Sequence, residues 1–226
     1  MLRRGSIVRF RAKRLLDVVG ATILIVVLSP LLALIAVAIK LNSPGPALFT
    51  QERVGASPRR DGRYVVWERT TFVMYKFRSM THNADQSAHE RHVAAWVEGN
   101  LAPDVDQGET FKLEADPRVT RVGRSIRRMS FDELPQLINV LKGDMSLVGP
   151  RPVPLYEAAA YTREQLARLN ALPGVTGIWQ VYGRGRVSFE EMIEMDLEYV
   201  RRQSLWLDIK LLLATVPAAV SGRGAR

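Results

Sequence analysis

Two adjacent carboxylates, Asp132 and Glu133, follow a stretch, residues 118–128, that carries five arginines and no acid. An ionised carboxylate among cations is what attack on phosphorus requires: the carboxylate takes up the phosphoryl group covalently and then passes it on. A second carboxylate beside it can help hold a divalent ion, and magnesium prefers oxygen ligands and phosphate partners. The pair also has a purely architectural reading. Ser130 with Glu133 three residues later fits a capping box, and acids are common in a first helical turn. The same helix start would favour a bound phosphate, and Arg151, in the rigid loop Gly149-Pro150-Arg151-Pro152, is expected to approach from beyond the helix. No other chemistry has an anchor: there is no P-loop, no G-x-G-x-x-G and no convincing Ser-His-Asp arrangement. The chain has no cysteine, which excludes disulfides and thiolate metal sites. His89 and His92 stand at i, i+3, but no carboxylate is suitably spaced to complete a metal site.

The elements that must position these residues are partly legible. Leu134, Leu137, Ile138 and Leu141 follow the i, i+3, i+4, i+7 rule, predicting a helix with its apolar side inward and Gly143 at its end. Arg121, Arg124 and Arg128 share one helical face. Residues 75–80 alternate aromatic and basic side chains, predicting a half-buried strand with Lys76 and Arg78 on one cationic face. Short strands are expected at residues 47–50 and 64–67 around a polar turn, and a helix followed by a loop over residues 81–110. Residues 154–170 read as a polar helix. Residues 172–185 read as a Gly- and Pro-rich loop carrying Trp179, Tyr182 and Arg184, and residues 189–202 as a helix. Residues 205–220 set an apolar face against Asp208 and Lys210, a pattern suited to lying in a membrane interface.

The 226 residues carry a formal net charge of +9, which calls for an anionic partner: nucleic acid, acidic lipid or a phosphorylated substrate. The charge positions favour a membrane. Residues 18–39 hold no charge, and a straight helix of that length is about 33 Å long, near one hydrocarbon thickness. Six basic residues lie between Arg3 and Arg14, and Lys40 follows the apolar run. The run is too long for a signal peptide, and no small-x-small site follows it. Ser29-Pro30 divides it into two halves, so a helical hairpin that enters and leaves by one face competes with a plain spanning helix. The basic arm and the basic domain after Lys40 both belong on the cytosolic side.

KRLLDVVGATILIVVLSPLLALIAVAIKL, YKFRSM, DPRVTRVGRSIRRMSFDELPQLINVLKGDMSLVGPRP and LPGVTGIWQVYGR resemble the bacterial sugar transferases. These are the monotopic phosphoglycosyl transferases that start glycan assembly on undecaprenyl phosphate, and the resemblance covers about residues 13–213. It implies an α+β, mostly helical protein. A basic cytosolic arm over 1–14 leads into a re-entrant membrane hairpin over 15–41, broken at Ser29 and Pro30. A catalytic domain over 42–204 follows, with an insertion at 81–110, and then a C-terminal interfacial helix and tail over 205–226. By the same resemblance Asp132 is the nucleophile toward a UDP-sugar, Glu133 its dyad partner, and both are ligands of Mg2+. Lys76, Arg78, Arg127, Arg151 and Arg184 are then phosphate- or nucleotide-binding residues. The implied partners are a UDP-sugar, undecaprenyl phosphate and anionic membrane lipids, not nucleic acid, and a homodimer is compatible with them. The implied place is the cytosolic face of the bacterial inner membrane, in exopolysaccharide, capsule or O-antigen assembly. The chain lacks the several N-terminal membrane spans of larger relatives, as expected of a short member or a fragment. A membrane-anchored nucleic-acid binder using the arginine run and a structural adaptor without an active site are the competing readings.

Overall fold

The computed structural model describes residues 5–83, 116–183 and 187–221. Most of the expected 81–110 insertion, with His89 and His92, lies outside the described residues, as does Arg184. Within them the chain is α+β and mostly helical, and its longest element is the apolar helix α1, Ile7–Asn42. Among the described residues it is the one helix long and apolar enough to cross a membrane.

The expected division of this element into two helices at Ser29-Pro30 is not what is observed: α1 runs unbroken with Pro30 inside it. Proline has no N–H to give the carbonyl four residues back, which here belongs to Val26. Ser29 Oγ donates to that same carbonyl at 2.8 Å. The hydroxyl supplies the bond that proline removes, so the helix continues. Its two ends nevertheless dock on one domain. Lys13, Asp17 and Ala21 are buried on one side of Ser29-Pro30, and Ile35 and Ile39 on the other. No residue from 22 to 34 is buried, and Val26 and Val27 are 66% and 67% exposed. An uncovered apolar stretch of this kind asks for lipid or another apolar surface.

The main sheet has the order β1-β3-β2-β5: β1 is Gly5–Ser6, β2 Leu48–Asp61, β3 Tyr64–Phe77 and β5 Val153–Pro154. The expected short strands are the two ends of one long antiparallel hairpin, in register from Leu48↔Phe77 to Asp61↔Tyr64. Its turn is only two residues long, with Gly62 at φ +59°, a conformation glycine adopts without strain. Phe72, Met74 and Lys76 share one face of β3. Phe72 and Met74 enter the core with Leu137, Val140, Leu147, Tyr199 and Leu211, and Lys76 ends the row. A second, parallel pair joins β4, Ser146–Val148, to β6, Gly174–Thr176. There a Cβ on Gly174 would stand 2.0 Å from the Gly149 nitrogen, so the approach of the two backbones needs glycine.

Helix α2 is Arg121–Arg128, α3 Gln136–Lys142, α4 Leu155–Ala159, α5 Ile178–Tyr182, α6 Phe189–Arg202 and α7 Leu205–Ser221. Helix α3 ends at Gly143, at φ +95°, as the sequence predicts, but Ile138 and Leu141 face outward and only Leu137 of the expected apolar row is fully buried. The polar helix expected over 154–170 is α4 and a separate 3₁₀ turn, Gln165–Leu169. The loop expected over 172–185 contains β6 and α5. Helix α6 has its expected limits and a complete capping box between Ser188 and Glu191.

Helix α7 inverts the expected amphipathic pattern. Asp208 is 1% exposed, where it accepts bonds from Lys13 Nζ at 2.9 Å and Tyr199 Oη at 2.8 Å. Trp206, Leu213 and Val216 face outward, so Asp208 and Lys210 do not form one polar face. Burial pushes the Tyr199 phenol well above its ordinary pKa, which keeps it a donor. The charge turned inward therefore fastens α7 to α1 beside Leu211, which enters the core, while Trp206, Leu213 and Val216 are left outside.

Candidate active site

Asp132 and Glu133 lie in a 3₁₀ turn, Phe131–Glu133, which precedes α3 and is not part of its first turn. Ser130 takes a left-handed φ of +58° and its side chain makes no capping bond, so the capping box expected of Ser130 and Glu133 does not form. The turn is closed by Glu133 N–H to Ser130 O at 3.1 Å and Leu134 N–H to Phe131 O at 3.2 Å. Phe131 packs into a cluster of Ile35, Ile39, Phe77 and Ile126. The residue before Asp132 thus rests on the second half of the membrane-type helix.

Lys76 reaches the pair from the end of β3. Its Nζ is 3.0 Å from Glu133 Oε1 and 3.8 Å from Asp132 Oδ2. Asn139, fully buried in α3, fixes this approach by accepting from Tyr75 N–H at 3.0 Å and donating to Val73 O at 2.7 Å. Arg151 comes from the loop between β4 and β5, its guanidinium 3.6 Å from Glu133 Oε1 and above the Trp179 ring. The Gly149-Pro150 approach to β6 and the pairing of β5 with β2 hold that loop at both ends.

Behind Arg151 lies a second ion cluster. Arg168 is fully buried. Its Nε donates to Asp196 Oδ2 at 2.8 Å, its Nη1 to Tyr161 Oη at 2.7 Å, and its Nη2 to Asp196 and to the Arg151 carbonyl, the latter at 3.4 Å. Tyr161 donates in turn to Glu157. Burial holds the Tyr161 phenol well above its ordinary pKa, so it remains protonated and able to donate.

The sequence reading therefore yields four residues that the structure brings together: Lys76, Asp132, Glu133 and Arg151. Glu133 lines the cleft between them, together with Lys76, Arg151, Gln136 and Gln180, and Asp132 stands at its side, 7% exposed. Arg78 is elsewhere. The strand ends at Phe77, so the alternation that would put Arg78 beside Lys76 stops, and its guanidinium binds the carbonyls of Ser43 and Pro44 just after α1. Arg127, half-buried in the last turn of α2, bears on Asp116, whose carboxyl the Arg118 hydrogen bonds and, more weakly, Arg127 hold below the usual range.

Among the residues of the site that were not read from the sequence are Asn139 and Arg53. Asn139 has no signal beyond being a polar residue inside a short apolar helix. Arg53, on β2, also lines the cleft and is 7% exposed. Its Nη1 donates to Pro152 O at 3.3 Å and its Nη2 to Gln51 Oε1 at 2.6 Å. Burial and the neighbouring Arg151 charge lower its pKa to about 10. The usable signal was the i, i+2 spacing of Gln51 and Arg53 in a strand, which puts both on one face.

The donor set is compatible with a divalent ion. Two adjacent carboxylates can meet magnesium, which takes one or two such ligands plus substrate phosphates. No cluster of three acids or histidines stands among the described residues.

Comparison with known proteins gives a consistent picture. The family model described as bacterial sugar transferase matches residues 8–222. The chain is 41% identical to the galactosyl transferase CpsE of Streptococcus agalactiae, over 95% of this chain and 43% of that protein. It is 35% identical to the exopolysaccharide production protein ExoY of Rhizobium meliloti, over 95% of this chain and 88% of that protein. It is 42% identical to the UDP-glucose:undecaprenyl-phosphate glucose-1-phosphate transferase of Caulobacter vibrioides, over 92% of this chain and 70% of that protein. The chain thus spans less than half of CpsE and most of ExoY.

Proposed function

The chain belongs to the bacterial sugar transferase family, and from that premise we propose that it moves a sugar-1-phosphate from a UDP-sugar to undecaprenyl phosphate through a phosphosugar on Asp132. The observation that carries this reading is the placing of two adjacent carboxylates beside Lys76 and Arg151, on a turn that packs against the membrane-type helix. A lipid phosphate lies at headgroup depth, so its acceptor site must stand where α1 leaves the bilayer.

In the first half-reaction an Asp132 carboxylate oxygen attacks the phosphorus that bears the sugar. The bond from that phosphorus to the bridging oxygen breaks, and UMP leaves with the electron pair. In the second, an oxygen of undecaprenyl phosphate attacks the same phosphorus, the acyl phosphate bond breaks, and Asp132 is returned as a carboxylate beside polyprenyl-diphosphate-sugar. Lys76 and Arg151 orient the phosphoryl oxygens and offset their charge. Glu133, held by the same two cations, keeps them in place around Asp132. Asp132 and Glu133 would hold Mg2+, whose bound charge helps neutralise the phosphate oxygens.

The uncovered middle of α1 supports a re-entrant insertion, with both ends docked on one cytosolic domain, over a plain span. The outward apolar side of α7 supports contact with the bilayer surface, and the net positive charge suits anionic lipid. The setting is the cytosolic face of the inner membrane, at the first step of exopolysaccharide, capsule or O-antigen assembly.

The test is release of UMP by the full chain in nanodiscs, across a panel of UDP-sugars with undecaprenyl phosphate, combined with intact-mass detection of the phosphosugar adduct. The expected result is release with one or a few sugars, an adduct that maps to Asp132, and neither with Asp132→Asn. Full turnover by Asp132→Asn would sink the assignment.

A further inference from the structure

We infer that Arg53 is a third phosphate-binding cation of the cleft and contacts a substrate phosphate directly. The inference rests on the transferase reading above and names a residue that the family resemblance did not point to.

Arg53 is held where the hairpin meets the Arg151 loop, since its position on β2 pairs with Phe72 on one side and with Pro154 on the other. That register fixes the face of β2 from which its side chain leaves. Its side chain lines the same cleft as Lys76, Glu133 and Arg151. It is more than nine-tenths buried, yet no carboxylate among the described residues lies within ion-pair distance of it. Its two acceptors among the described residues, the Pro152 carbonyl and the Gln51 amide, are neutral. Its Nε has no hydrogen-bond partner among the described residues.

A buried cation without a counter-charge is costly unless an anion completes it. In the cleft, Arg53, Lys76 and Arg151 stand beside Asp132 and Glu133, and Glu157 also bears on Arg53 without forming an ion pair with it. Arg168, fully buried away from the cleft, is given a carboxylate and a phenol, and Arg78, also buried, spends its guanidinium on the Ser43 and Pro44 carbonyls just after α1. Arg53 is the enclosed arginine that lines the cleft. The chemistry that matches the vacant donor of Arg53 is an oxyanion with several acceptor oxygens, which guanidinium binds in preference to ammonium. Both the nucleotide diphosphate and the lipid phosphate offer one.

The experiment uses Arg53→Met, which keeps the apolar length, and Arg53→Lys, which keeps the charge, in the full chain in nanodiscs. Three quantities are read: the melting temperature with and without UDP, the rate of UMP release and adduct formation from UDP-sugar alone, and the decay of the preformed adduct on adding undecaprenyl phosphate. Arg53→Met is expected to melt at or above the wild-type temperature, because an uncompensated buried charge is gone. It is expected to lose most of the UDP-induced shift and to need about 10–100-fold more UDP-sugar, the loss of one charge-assisted hydrogen bond. Arg53→Lys restores part of this. A defect confined to adduct decay assigns the phosphate to the lipid and also supports the proposal. An unchanged UDP shift together with unchanged rates in both half-reactions overturns it, whatever the melting temperature. If the wild type binds UDP and Arg53→Met does not, but no adduct ever forms, the transferase reading fails while this inference stands.

Discussion

Arg168 and Arg53 are both enclosed guanidiniums within reach of the Arg151 loop, and the chain finishes one and leaves the other open. Behind the loop, Arg168 meets Asp196, Tyr161 and the Arg151 carbonyl. In front of it, Arg53 meets two neutral acceptors and has a bare Nε. A buried charge whose partners all come from the chain holds architecture. A buried charge left short of partners on the wall of a cleft is open to a ligand, and its incompleteness costs stability in the empty protein. The two sides should therefore respond in opposite ways to substitution: the rear through stability, the front through activity.

The largest expected effect is at the front. Asp132→Asn should lower turnover by at least about ten-thousand-fold, some 5.5 kcal/mol of barrier, as measured by UMP release. Its unfolding free energy should stay within about 1 kcal/mol of the wild type, because the substitution removes one charge from a cleft that is not closed. Large loss of stability alongside the loss of activity would erase the contrast. Next comes the rear. Asp196→Ala leaves Arg168 buried without its carboxylate and should cost about 3–5 kcal/mol, read by denaturant unfolding in detergent. Unfolding indistinguishable from the wild type would mean that Arg168 is not held as its contacts imply.

Between the two lies Asn139. It touches no substrate group, but its amide sets β3 against α3 and so sets Lys76 against Asp132. Asn139→Ala should cost about 1–3 kcal/mol through the unsatisfied Tyr75 N–H and Val73 carbonyl. It should also lower kcat more than it raises the KM for UDP-sugar, since the catalytic groups shift relative to each other. A loss in stability alone, with normal kcat, would place Asn139 wholly on the architectural side.

This division also explains what was legible in the sequence. The dyad, Lys76 and Arg151 stand in motifs where charge is concentrated or a proline loop presents it, so residue type and spacing suffice. Helix α6 was readable from its local residue pattern, and the structure adds the capping box at its start. Arg53 was not, because its meaning depends on which acids are absent from its surroundings, and only the packed structure shows that. The cationic face expected to join Arg78 to Lys76 fails because strand alternation holds only while the strand lasts, and β3 ends one residue earlier. The hairpin was underestimated because residues 51–63 look polar and turn-rich, although cross-strand pairing carries them to Asp61↔Tyr64. In helix α7 it was Asp208 alone that was misplaced, for a similar reason. The amphipathic rule presumes water outside and an apolar core within, whereas Asp208 finds Lys13 and Tyr199 inside.

The smallest expected effect tests the partner rule at one hydrogen bond. If Ser29 Oγ replaces the N–H that Pro30 lacks, Ser29→Ala strips the Val26 carbonyl of its donor and should cost about 0.5–1.5 kcal/mol. UMP release per folded molecule should not change, because donor and acceptor both belong to the chain. In a Pro30→Ala background, residue 30 regains its N–H and can serve the same carbonyl, so Ser29→Ala should then cost almost nothing. The double-mutant cycle isolates this coupling from helix propensity, which enters each single variant equally. Equal costs in both backgrounds would mean that the hydroxyl does not stand in for the missing donor, and the continuity of α1 through Pro30 would need another cause. Unequal costs would show that a proline in an apolar helix is tolerated on the same terms as Arg168 in the core, through a partner supplied by the chain itself.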